Sequence, residues 1–515
     1  MGIIKLNQDK SLSIVSFLPP PPIQYYCRVK LDNVHSQIEG TLPQSFWDAL
    51  SLAMSYEIPG AFFSQKYQKG FWDGRKKLFN KRYFSFPTGL FSIFREVCKN
   101  HGVEFQIIDV RQKPNLGSEL SIYGVVLRDY QIEAIQTAIQ KQRGTVKAPT
   151  GCGKSLIAAG LIAKLNIDVV VFIHTQDIFH QLVKTFRDIL HKPIGEIGCG
   201  KTLPQNITVC MIQTAYRSFG GITSKGVTKK ELDEDNTIIS KPEIIQQCLQ
   251  RAQCIIVDEA HRICAGMYSF VLSKCNKAYY RINFTATPWR ETKDDILLDA
   301  YAGPICVNLT ASELIKRGVL SKPTIYLYEF DHGRPSVRGY QTAYDQQVVK
   351  NIFRNKLVVQ LALKAAASNK TCLIAVTRVE HGQVLELMLK EVLGDKIKFA
   401  HGSVDSEERK QILKDLDDRK LSVVVATVVF SLGIDLPSLD VLINCKAADS
   451  GVDSFQLVGR ALRRTPTKTT ATIIDIFDKH CKYLGSHANS RLKIYRTESE
   501  YSIQSVKDLS QVIFV

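Results

Sequence analysis

The octapeptide Ala148-Pro-Thr-Gly-Cys-Gly-Lys-Ser155 has the residue types and the spacing of a phosphate-binding loop. Its two glycines let the backbone turn so that N–H groups converge on an anion, and a helix beginning after them adds its N-terminal partial positive charge. Lys154 would supply a point charge to β- and γ-phosphates, and Ser155 a hydroxyl ligand for Mg²⁺. The residues predicted to hold a nucleotide here are Thr150, Gly151, Cys152, Gly153, Lys154 and Ser155.

A pair of carboxylates follows an apolar run in the segment Asp258-Glu-Ala-His261. The carboxyl end of a buried strand is where an α/β sheet places its chemistry. We expect Asp258 to hold Mg²⁺ together with Ser155, and Glu259 to accept the proton of an attacking water. His261 is expected to face the γ-phosphate side and to relay its state.

Two arginines stand three apart in Gln456-Leu-Val-Gly-Arg-Ala-Leu-Arg463, a spacing that places them on one helical face. Arginines aimed at a transferring phosphoryl group typically contribute about 10³–10⁵ in rate. The predicted catalytic residues are Lys154, Glu259, Arg460 and Arg463. Because the phosphate loop and the arginines lie in different predicted domains, hydrolysis would require these domains to close on each other.

Two stretches of alternating strands and helices must position these residues. Short β-branched runs such as Val169–Ile173 and Cys254–Val257 predict buried parallel strands in residues 116–318, and the same texture repeats in residues 319–500. A single helix is predicted over Tyr344–Ala367. The pattern indicates an α/β protein with two tandem doubly wound parallel-sheet domains, joined near Gly318–Pro323.

Residues 1–115 have a different texture and are predicted to form a small α+β domain that engages DNA. Between Lys66 and Arg82, seven basic residues stand against one acid, with aromatic residues interleaved. The side chains of Arg75, Lys76 and Lys77 suit phosphate contacts, and Trp72 suits stacking on an exposed base. The alternatives are that Trp72 is a core residue and that the basic run is a solvated face. Residues 224–242 are predicted to be an exposed insertion, and residues 501–515 a C-terminal tail.

Composition limits the class of protein. The 515 residues are 45% hydrophobic and 23% charged, which is ordinary for a globular chain. A formal net charge of +17 favours a polyanionic partner. Apolar runs such as Val169–Ile173 are far shorter than the roughly 20 residues of a membrane helix, so no membrane association is expected. The 13 cysteines include no CxxC pair, as expected for reduced thiols in a cytoplasmic protein.

These motifs, in this order, resemble those of superfamily-two helicases over about residues 125–500. The resemblance implies two RecA-like domains, ATP and Mg²⁺ as cofactors, and roles for further residues. It assigns nucleotide contacts to Arg128, Gln131, Gly433 and Asp435, with Gln131 reading the base edge. It assigns coupling between the two sites to His261, Thr285, Thr287 and Gln456. It assigns nucleic-acid backbone contacts to Thr175, Thr214, Thr377, Arg378 and Thr427. One departure is Leu457, at a position often held by arginine.

The leading segments Phe71–Phe79 and Phe86–Leu90, with His487–Tyr495 near the end, resemble the DEAH-type UvsW-like helicases of tailed phages. That resemblance implies an ATP-driven DNA helicase for branched DNA, which regresses forks and migrates Holliday junctions in phage replication, recombination or repair. It would act as a monomer on DNA in the host bacterial cytoplasm. A duplex translocase that remodels protein–DNA complexes, a DExH RNA helicase and an ATP-gated binding module with negligible turnover remain alternatives.

Overall fold

The computed structural model describes residues 4–6, 12–14, 25–220, 241–262, 265–287, 294–332, 339–427, 436–447 and 451–514. Gly433, Asp435 and most of the predicted insertion at 224–242 lie outside these residues. Three sheets of four or more strands are described, with eight, seven and four strands. Two-stranded pairs are formed by β1 (Ile4–Leu6) with β2 (Leu12–Ile14), and by β5 (Ser55–Glu57) with β6 (Arg75–Lys77).

The first α/β domain is built on the eight-stranded sheet, whose order is β12-β11-β13-β10-β14-β15-β9-β16. Neighbouring strands within this sheet run parallel, except that β12 at the edge runs antiparallel to β11. Its strands are β9 (Arg143–Lys147), β10 (Val169–Ile173), β11 (Gly195–Gly198), β12 (Lys201–Leu203), β13 (Ile207–Met211), β14 (Cys254–Asp258), β15 (Tyr280–Thr285) and β16 (Ile305–Asn308). The connecting helices are Asp129–Lys141, Lys154–Leu165, Gln176–Leu190, Ile212–Ser218, Pro242–Arg251, Ala265–Lys274, Ile296–Tyr301 and Ala311–Lys316.

The second α/β domain has a seven-stranded sheet that is parallel throughout, in the order β19-β20-β18-β21-β22-β17-β23. Its strands are β17 (Lys322–Phe330), β18 (Cys372–Ala375), β19 (Ile397–Ala400), β20 (Val423–Ala426), β21 (Val441–Asn444), β22 (Thr470–Asp478) and β23 (Ser502–Val506). Its helices are Tyr340–Tyr344, Ile352–Ala367, Val379–Leu393, Ser406–Asp417, Gly451–Ala461 and Lys482–Tyr495. The predicted tail, residues 501–515, thus supplies edge strand β23 along β17.

The two parallel sheets confirm the predicted α/β class. Buried β-branched runs fold as parallel strands because helices cover both faces of such a sheet. The single helix predicted over Tyr344–Ala367 is wrong. A π-helical turn at Asp345–Val349 precedes a break, and Asn351 then begins a new helix by accepting hydrogen bonds from the backbone N–H groups of Phe353 and Arg354, both at 3.1 Å. This N-cap outweighs the continuous helical pattern of the sequence.

The leading domain has a sheet in the order β7-β4-β3-β8, covered by helices Gln44–Ala53 and Phe91–Asn100. The strands are β3 (Tyr25–Leu31), β4 (His35–Glu39), β7 (Ser85–Pro87) and β8 (Val103–Asp109). It is fastened to the first α/β domain, since Arg143 donates to the Asn33 carbonyl at 2.7 Å and Asn33 donates to the Asn276 carbonyl at 3.0 Å. At Gly89, a Cβ would lie 1.9 Å from the Asp299 carbonyl oxygen. This contact admits no larger residue, so the two domains pack closely.

A buried histidine in the second α/β domain gives a pH-dependent stability. His381 has no exposed surface and donates from Nε2 to Asn355 Oδ1 at 3.0 Å. Burial, assisted by Arg354, lowers the pKa of His381 to about 3. Below about pH 6.5, His381 is therefore protonated in the unfolded chain but stays neutral in the folded chain. The free energy of unfolding consequently falls as the pH drops from about 6.5 toward about 3.

We expect His381→Gln to weaken this acid sensitivity. The free energy of unfolding of the unmodified protein should fall by up to about 1.4 kcal/mol more per pH unit below pH 6 than that of the variant. Urea unfolding at pH 7 and pH 5 measures the difference. Parallel losses in the two proteins would mean that other groups dominate acid unfolding.

Candidate nucleotide site

A cleft of about 440 Å³ lies between the two α/β domains. The first domain lines it with the loop that follows β9 and with the carboxylates at the end of β14, and the second domain lines it with Arg460 and Arg463. Because both strands end at the same edge of the sheet, the loop and the carboxylates lie close together on the first domain's wall of the cleft. The structure thus brings together the predicted phosphate-binding, acidic and arginine residues.

The phosphate loop owes its shape to two glycines in the left-handed region, with φ of +87° at Gly151 and +81° at Gly153. A Cβ at Gly153 would also lie 2.5 Å from Gln131 Nε2, so the loop leaves no space for a side chain there. Tyr130 Oη and Gln131 Nε2 both donate to the Cys152 carbonyl, at 2.7 and 3.1 Å. These contacts fix the loop at the beginning of helix Lys154–Leu165, where its backbone N–H groups can meet an anion.

Gln131 lines the cleft but is only 2% exposed, and both ends of its amide are used within the protein. Its Oε1 accepts from the Arg128 N–H at 2.9 Å, while its Nε2 holds the loop. The geometry therefore gives Gln131 a supporting contact, and its reading of the base stays a prediction. Tyr130 has the same supporting contact and was not found from the sequence. Other cleft residues without a motif signal are Val125, Val126, Ile178, Gln181 and Leu182.

Lys154 lies within reach of the acidic residues. Its Nζ is 3.5 Å from Glu259 Oε1 and 3.5 Å from the Ala148 carbonyl oxygen. Burial alone disfavours the ammonium, but the negative charges around it, that of Glu259 foremost, outweigh burial and raise the pKa of Lys154. Lys154 is consequently charged, and a bound phosphate could replace the Glu259 carboxylate as its ion-pair partner.

The neighbouring carboxylates differ in their electrostatics. Burial, and then the charge of Glu259, raises the pKa of Asp258. Burial acts on Glu259 in the same sense, but the positive charges around it, that of Lys154 foremost, together outweigh burial and lower the pKa of Glu259. Glu259 also has a φ of +47°, a strained conformation for a long side chain and one that is found at functional sites. Glu259 is thus held ionised, as a proton acceptor must be.

Ser155 and Asp258 both line the cleft, and their donors are a hydroxyl and a carboxylate oxygen. Mg²⁺ prefers oxygen ligands of this kind, usually one or two from the protein together with phosphate oxygens and water. The donor set therefore fits the ion, and the raised pKa of Asp258 marks a buried carboxylate that a cation would stabilise. When bound, the ion would neutralise charge on the β- and γ-phosphates.

The predicted coupling residues form one hydrogen-bonded network across the cleft. His261 Nδ1 lies 2.7 Å from Thr285 Oγ1, which donates to the Thr287 carbonyl at 2.8 Å. Gln456, from the second domain, places its Nε2 2.9 Å from His261 Nε2 and 3.5 Å from Glu259 Oε2. Since an amide nitrogen donates, these contacts assign the proton of a neutral His261 to Nδ1. The coupling role itself stays a prediction.

Arg262 was missed from the sequence, although it follows the acidic segment directly. It donates to Gln456 Oε1 and so extends the network between the domains. The signal that could have found it is the cation next to His261, but a single basic residue in a loop carries little information. Its hydrogen-bond partner, Gln456, belongs to the second domain, so the contact depends on how the two domains pack.

The two arginines reach the cleft by a different route from the one predicted. Helix Gly451–Ala461 ends before Arg463, so the two side chains do not share one helical face. Arg463 instead lies in the segment after the helix. There it forms an isolated antiparallel β-bridge with Leu320, and its carbonyl accepts a hydrogen bond from Ser321 Oγ at 3.2 Å. The spacing argument was therefore wrong, yet both residues line the cleft. A Cβ on Gly459 would lie 3.1 Å from Thr150 Cβ, which shows how closely this helix meets the loop.

The predicted nucleic-acid contacts follow strand ends in both domains. Thr175 and Thr214 come after the neighbouring strands β10 and β13, and Thr377 and Thr427 after the neighbouring strands β18 and β20. In the described part of the chain, the buried hydroxyls of Thr175, Thr214 and Thr427 have no hydrogen-bond partner. Arg378 is engaged with Asp345 at 3.2 Å, and Thr377 with the Lys446 carbonyl at 3.4 Å.

The leading-domain candidates are partly occupied by contacts of their own. Arg75 donates to Ser55 Oγ at 2.8 Å, to Glu57 Oε1 at 3.0 Å and to the Ser55 carbonyl at 3.2 Å. Lys77 pairs with Asp73 at 3.0 Å, and the Trp72 indole N–H donates to the Arg75 carbonyl at 2.8 Å. Lys76 is exposed. Arg75 and Trp72 thus stabilise the β5–β6 hairpin, and their contacts with DNA stay predictions.

Comparison with known proteins places this site in a class. The family described as "Type III restriction enzyme, res subunit" matches residues 124–290, and "Helicase conserved C-terminal domain" matches residues 354–465. A restriction-modification enzyme, LlaBIII bound to DNA, has a similar fold, with a TM-score of 0.52 and 14% identity over 75% of this chain and 32% of that one. The chain belongs to the superfamily-two helicases, enzymes that hydrolyse ATP in a nucleic-acid-dependent manner.

Within that class, the chain is related to "ATP-dependent DNA helicase uvsW" of Enterobacteria phage T4, with 24% identity over 86% of this chain and 92% of the relative. It is also similar to "DNA 3'-5' translocase XPB2" of Sulfurisphaera tokodaii, with 24% identity over 73% of this chain and 86% of that protein. No helix among the described residues has the length and apolar character needed to span a bilayer.

We expect Lys154→Ala to reduce ATP turnover by about 10²–10³-fold, since it removes a positioned charge from the phosphate site. The fold should survive, because Lys154 is the first residue of its helix and lines the cleft. Steady-state ATPase assays and thermal melting measure the two effects. Lys164→Ala is a matched control on the same helix, since that residue pairs at the surface with Glu119. Equal activity of the two variants would contradict the role of Lys154.

Proposed function

We propose that this protein is an ATP-driven DNA helicase that acts on branched DNA, regressing forks and migrating Holliday junctions, in phage replication, recombination or repair. One observation carries the proposal: similarity to the T4 DNA helicase extends over 86% of this chain and 92% of that protein, so it reaches beyond the two helicase domains. The sequence of residues Asp258–His261, Asp-Glu-Ala-His, agrees with this proposal.

The geometry supports an ATP-dependent cycle of closing and opening. ATP in the cleft would be held by the phosphate loop of the first domain and contacted by Arg460 and Arg463 of the second. Binding would draw the domains together, and loss of the γ-phosphate would release them. Gln456 contacts His261 and Arg262 across the same cleft, so a change at the nucleotide reaches both domains. Nucleic acid held by both domains would be moved by that cycle.

Five residues are proposed to hold the DNA backbone: Thr175, Thr214, Thr377, Arg378 and Thr427. Three of them have buried hydroxyls without a partner in the described residues. A buried polar group is normally hydrogen-bonded, and a phosphate oxygen would satisfy such a hydroxyl. These residues follow β-strands in both domains, so a single DNA strand that lies across the two sheets could contact all of them. Gly433 and Asp435 are proposed to contact the nucleotide and lie outside the described residues.

A second candidate is a duplex translocase that moves along DNA without separating the strands. The similarity to the Sulfurisphaera DNA translocase, over 73% of this chain, favours it. An RNA substrate has less support, because "ATP-dependent RNA helicase DBP8" of Candida albicans matches over only 42% of this chain. That match leaves out more than half of this chain.

ATPase rates with single strands, duplexes, forks, four-way junctions and RNA, measured side by side, test the proposal. We expect the greatest stimulation by forks or four-way junctions and a fall in DNA affinity with rising salt, because binding releases cations from the phosphates. Strand-displacement assays on the same forks separate a helicase from a duplex translocase. Stimulation by RNA alone would contradict the proposal.

A further inference from the structure

The segment that joins β5 to β6, residues 58–74, exposes a cluster of aromatic rings to solvent. The exposed fractions are 57% for Phe62, 77% for Phe63, 43% for Tyr67 and 81% for Phe71. We call this segment the aromatic loop. Single exposed apolar side chains are common, but several large rings together on one short loop mark a contact surface.

The aromatic loop is built to present these rings. The Phe62 and Phe63 rings lie 4.1 Å apart, and Gln68 Nε2 donates to the Phe62 carbonyl at 3.2 Å. The Phe71 N–H donates to the Lys66 carbonyl at 2.9 Å. Trp72 closes the base of the loop through its bond to the Arg75 carbonyl. The backbone is therefore held by its own hydrogen bonds while the rings point away from the leading domain's core.

Charge around the loop identifies the chemistry of its partner. The acidic side chains at its base, Glu57 and Asp73, are paired with Arg75 and Lys77. Three further lysines are exposed: Lys66 and Lys69 lie in the loop, and Lys76 lies on the strand that follows it. A surface that combines flat apolar rings with positive charge complements unpaired nucleobases on a phosphate backbone. A second copy of this chain would bring the same positive charges against each other, which disfavours self-association through this face.

We propose that the aromatic loop stacks on unpaired bases at the branch point of a DNA junction and holds the separated strands apart. This inference rests on the proposed function and names the element that acts where strands part. The rings provide the stacking surface, and Lys66, Lys69 and Lys76 contact the flanking phosphates. Arg75 has a different role, because its three hydrogen bonds clamp β6 to Ser55 and Glu57 and so position the loop.

The experiment uses the full chain with Phe62, Phe63 and Phe71 all changed to Ala. The probe is a fork with 2-aminopurine at the branch point, whose fluorescence reports stacking. With the unmodified protein, fluorescence should change on binding, and the triple variant should lose most of that change. Each stacked base contributes about tenfold to affinity, so fork binding should weaken by at least that factor. Binding to a fully paired duplex should change much less.

Two control variants isolate the stacking contribution. The same three residues changed to Leu keep apolar surface but lack an aromatic face, and they should lose the fluorescence response as well. Phe353→Ala removes a ring of similar exposure, 63%, from the second α/β domain and should behave as the unmodified protein. Because all the altered side chains are exposed, the melting temperature should be unchanged, and thermal unfolding checks this.

The outcomes separate the two proposals. An unmodified protein that shows no DNA-stimulated ATPase would overturn the proposed function itself. If the unmodified protein processes forks and the Ala variant does so equally well, with an unchanged 2-aminopurine signal, the stacking role is wrong and a protein partner becomes the occupant of this face. A response lost in Ala but kept in Leu would also overturn stacking, since apolar contact alone would then suffice.

Discussion

Changing either Arg460 or Arg463 to Ala is expected to lower kcat for ATP hydrolysis by about 10³-fold or more, with a much smaller effect on ATP binding. Both residues line the cleft from the second domain, opposite the phosphate loop. A guanidinium in this position acts on the charge that develops on the transferring phosphoryl group, so its loss is felt chiefly in the transition state. Single-turnover hydrolysis, with nucleotide binding measured separately, tests the expectation.

Arg464→Ala provides a matched control for these variants. Arg464 is the next residue along the chain, is exposed, and donates to the Gly318 carbonyl at 3.1 Å without lining the cleft. It should keep nearly full activity. If Arg460→Ala or Arg463→Ala raises the ATP Kd and leaves kcat intact, the arginine holds phosphate in the ground state only.

The sequence was most informative where a local pattern has a local cause. The run Val169–Ile173 predicted a strand with the observed bounds, because β-branched residues in an unbroken apolar run suit a sheet covered on both faces. The phosphate loop was predictable for a similar reason. Gly151 and Gly153 stand where only a glycine adopts the required backbone without strain.

What could not be predicted depends on partners distant in the chain. Gln131 supports the loop because helix Asp129–Lys141 lies beside Cys152, a contact that its own neighbours do not reveal. Arg75 was expected to face DNA, but the opposite strand of its hairpin offers Ser55 and Glu57 as acceptors. A basic residue in the sequence has the same appearance whether it meets a carboxylate or a phosphate.

The aromatic loop illustrates the same difficulty for apolar residues. From the sequence, Phe71 and Phe79 are equivalent rings in one basic segment. In the structure, Phe79 is 4% exposed and stacks on Trp47 at 5.7 Å, whereas Phe71 is 81% exposed. Exposure depends on which side of β6 a residue lies and on what the leading domain packs there. The distinction between a core ring and a contact ring is therefore a tertiary property.

Glu259→Gln is expected to leave ATP binding nearly intact and to reduce hydrolysis by about 10²–10⁴-fold, the usual contribution of a general base. An amide has nearly the shape of the carboxylate but cannot take a proton from water. Glu259 is suited to the role because Lys154, together with Arg262 and Arg460, helps to lower its pKa against the effect of burial. Rapid-quench hydrolysis and equilibrium nucleotide binding, measured on the same protein, test both halves of this expectation.

The control for Glu259→Gln is the same change at the exposed Glu133, which should be silent. The network adds a further check on the assignment. Gln456 Nε2 contacts both Glu259 Oε2 and His261 Nε2, so the variant keeps a polar group for Gln456 and should not disturb the contact between the domains. Near-normal hydrolysis by Glu259→Gln would remove this residue from catalysis. The other carboxylate that lines the cleft, Asp258, would then be the group to test.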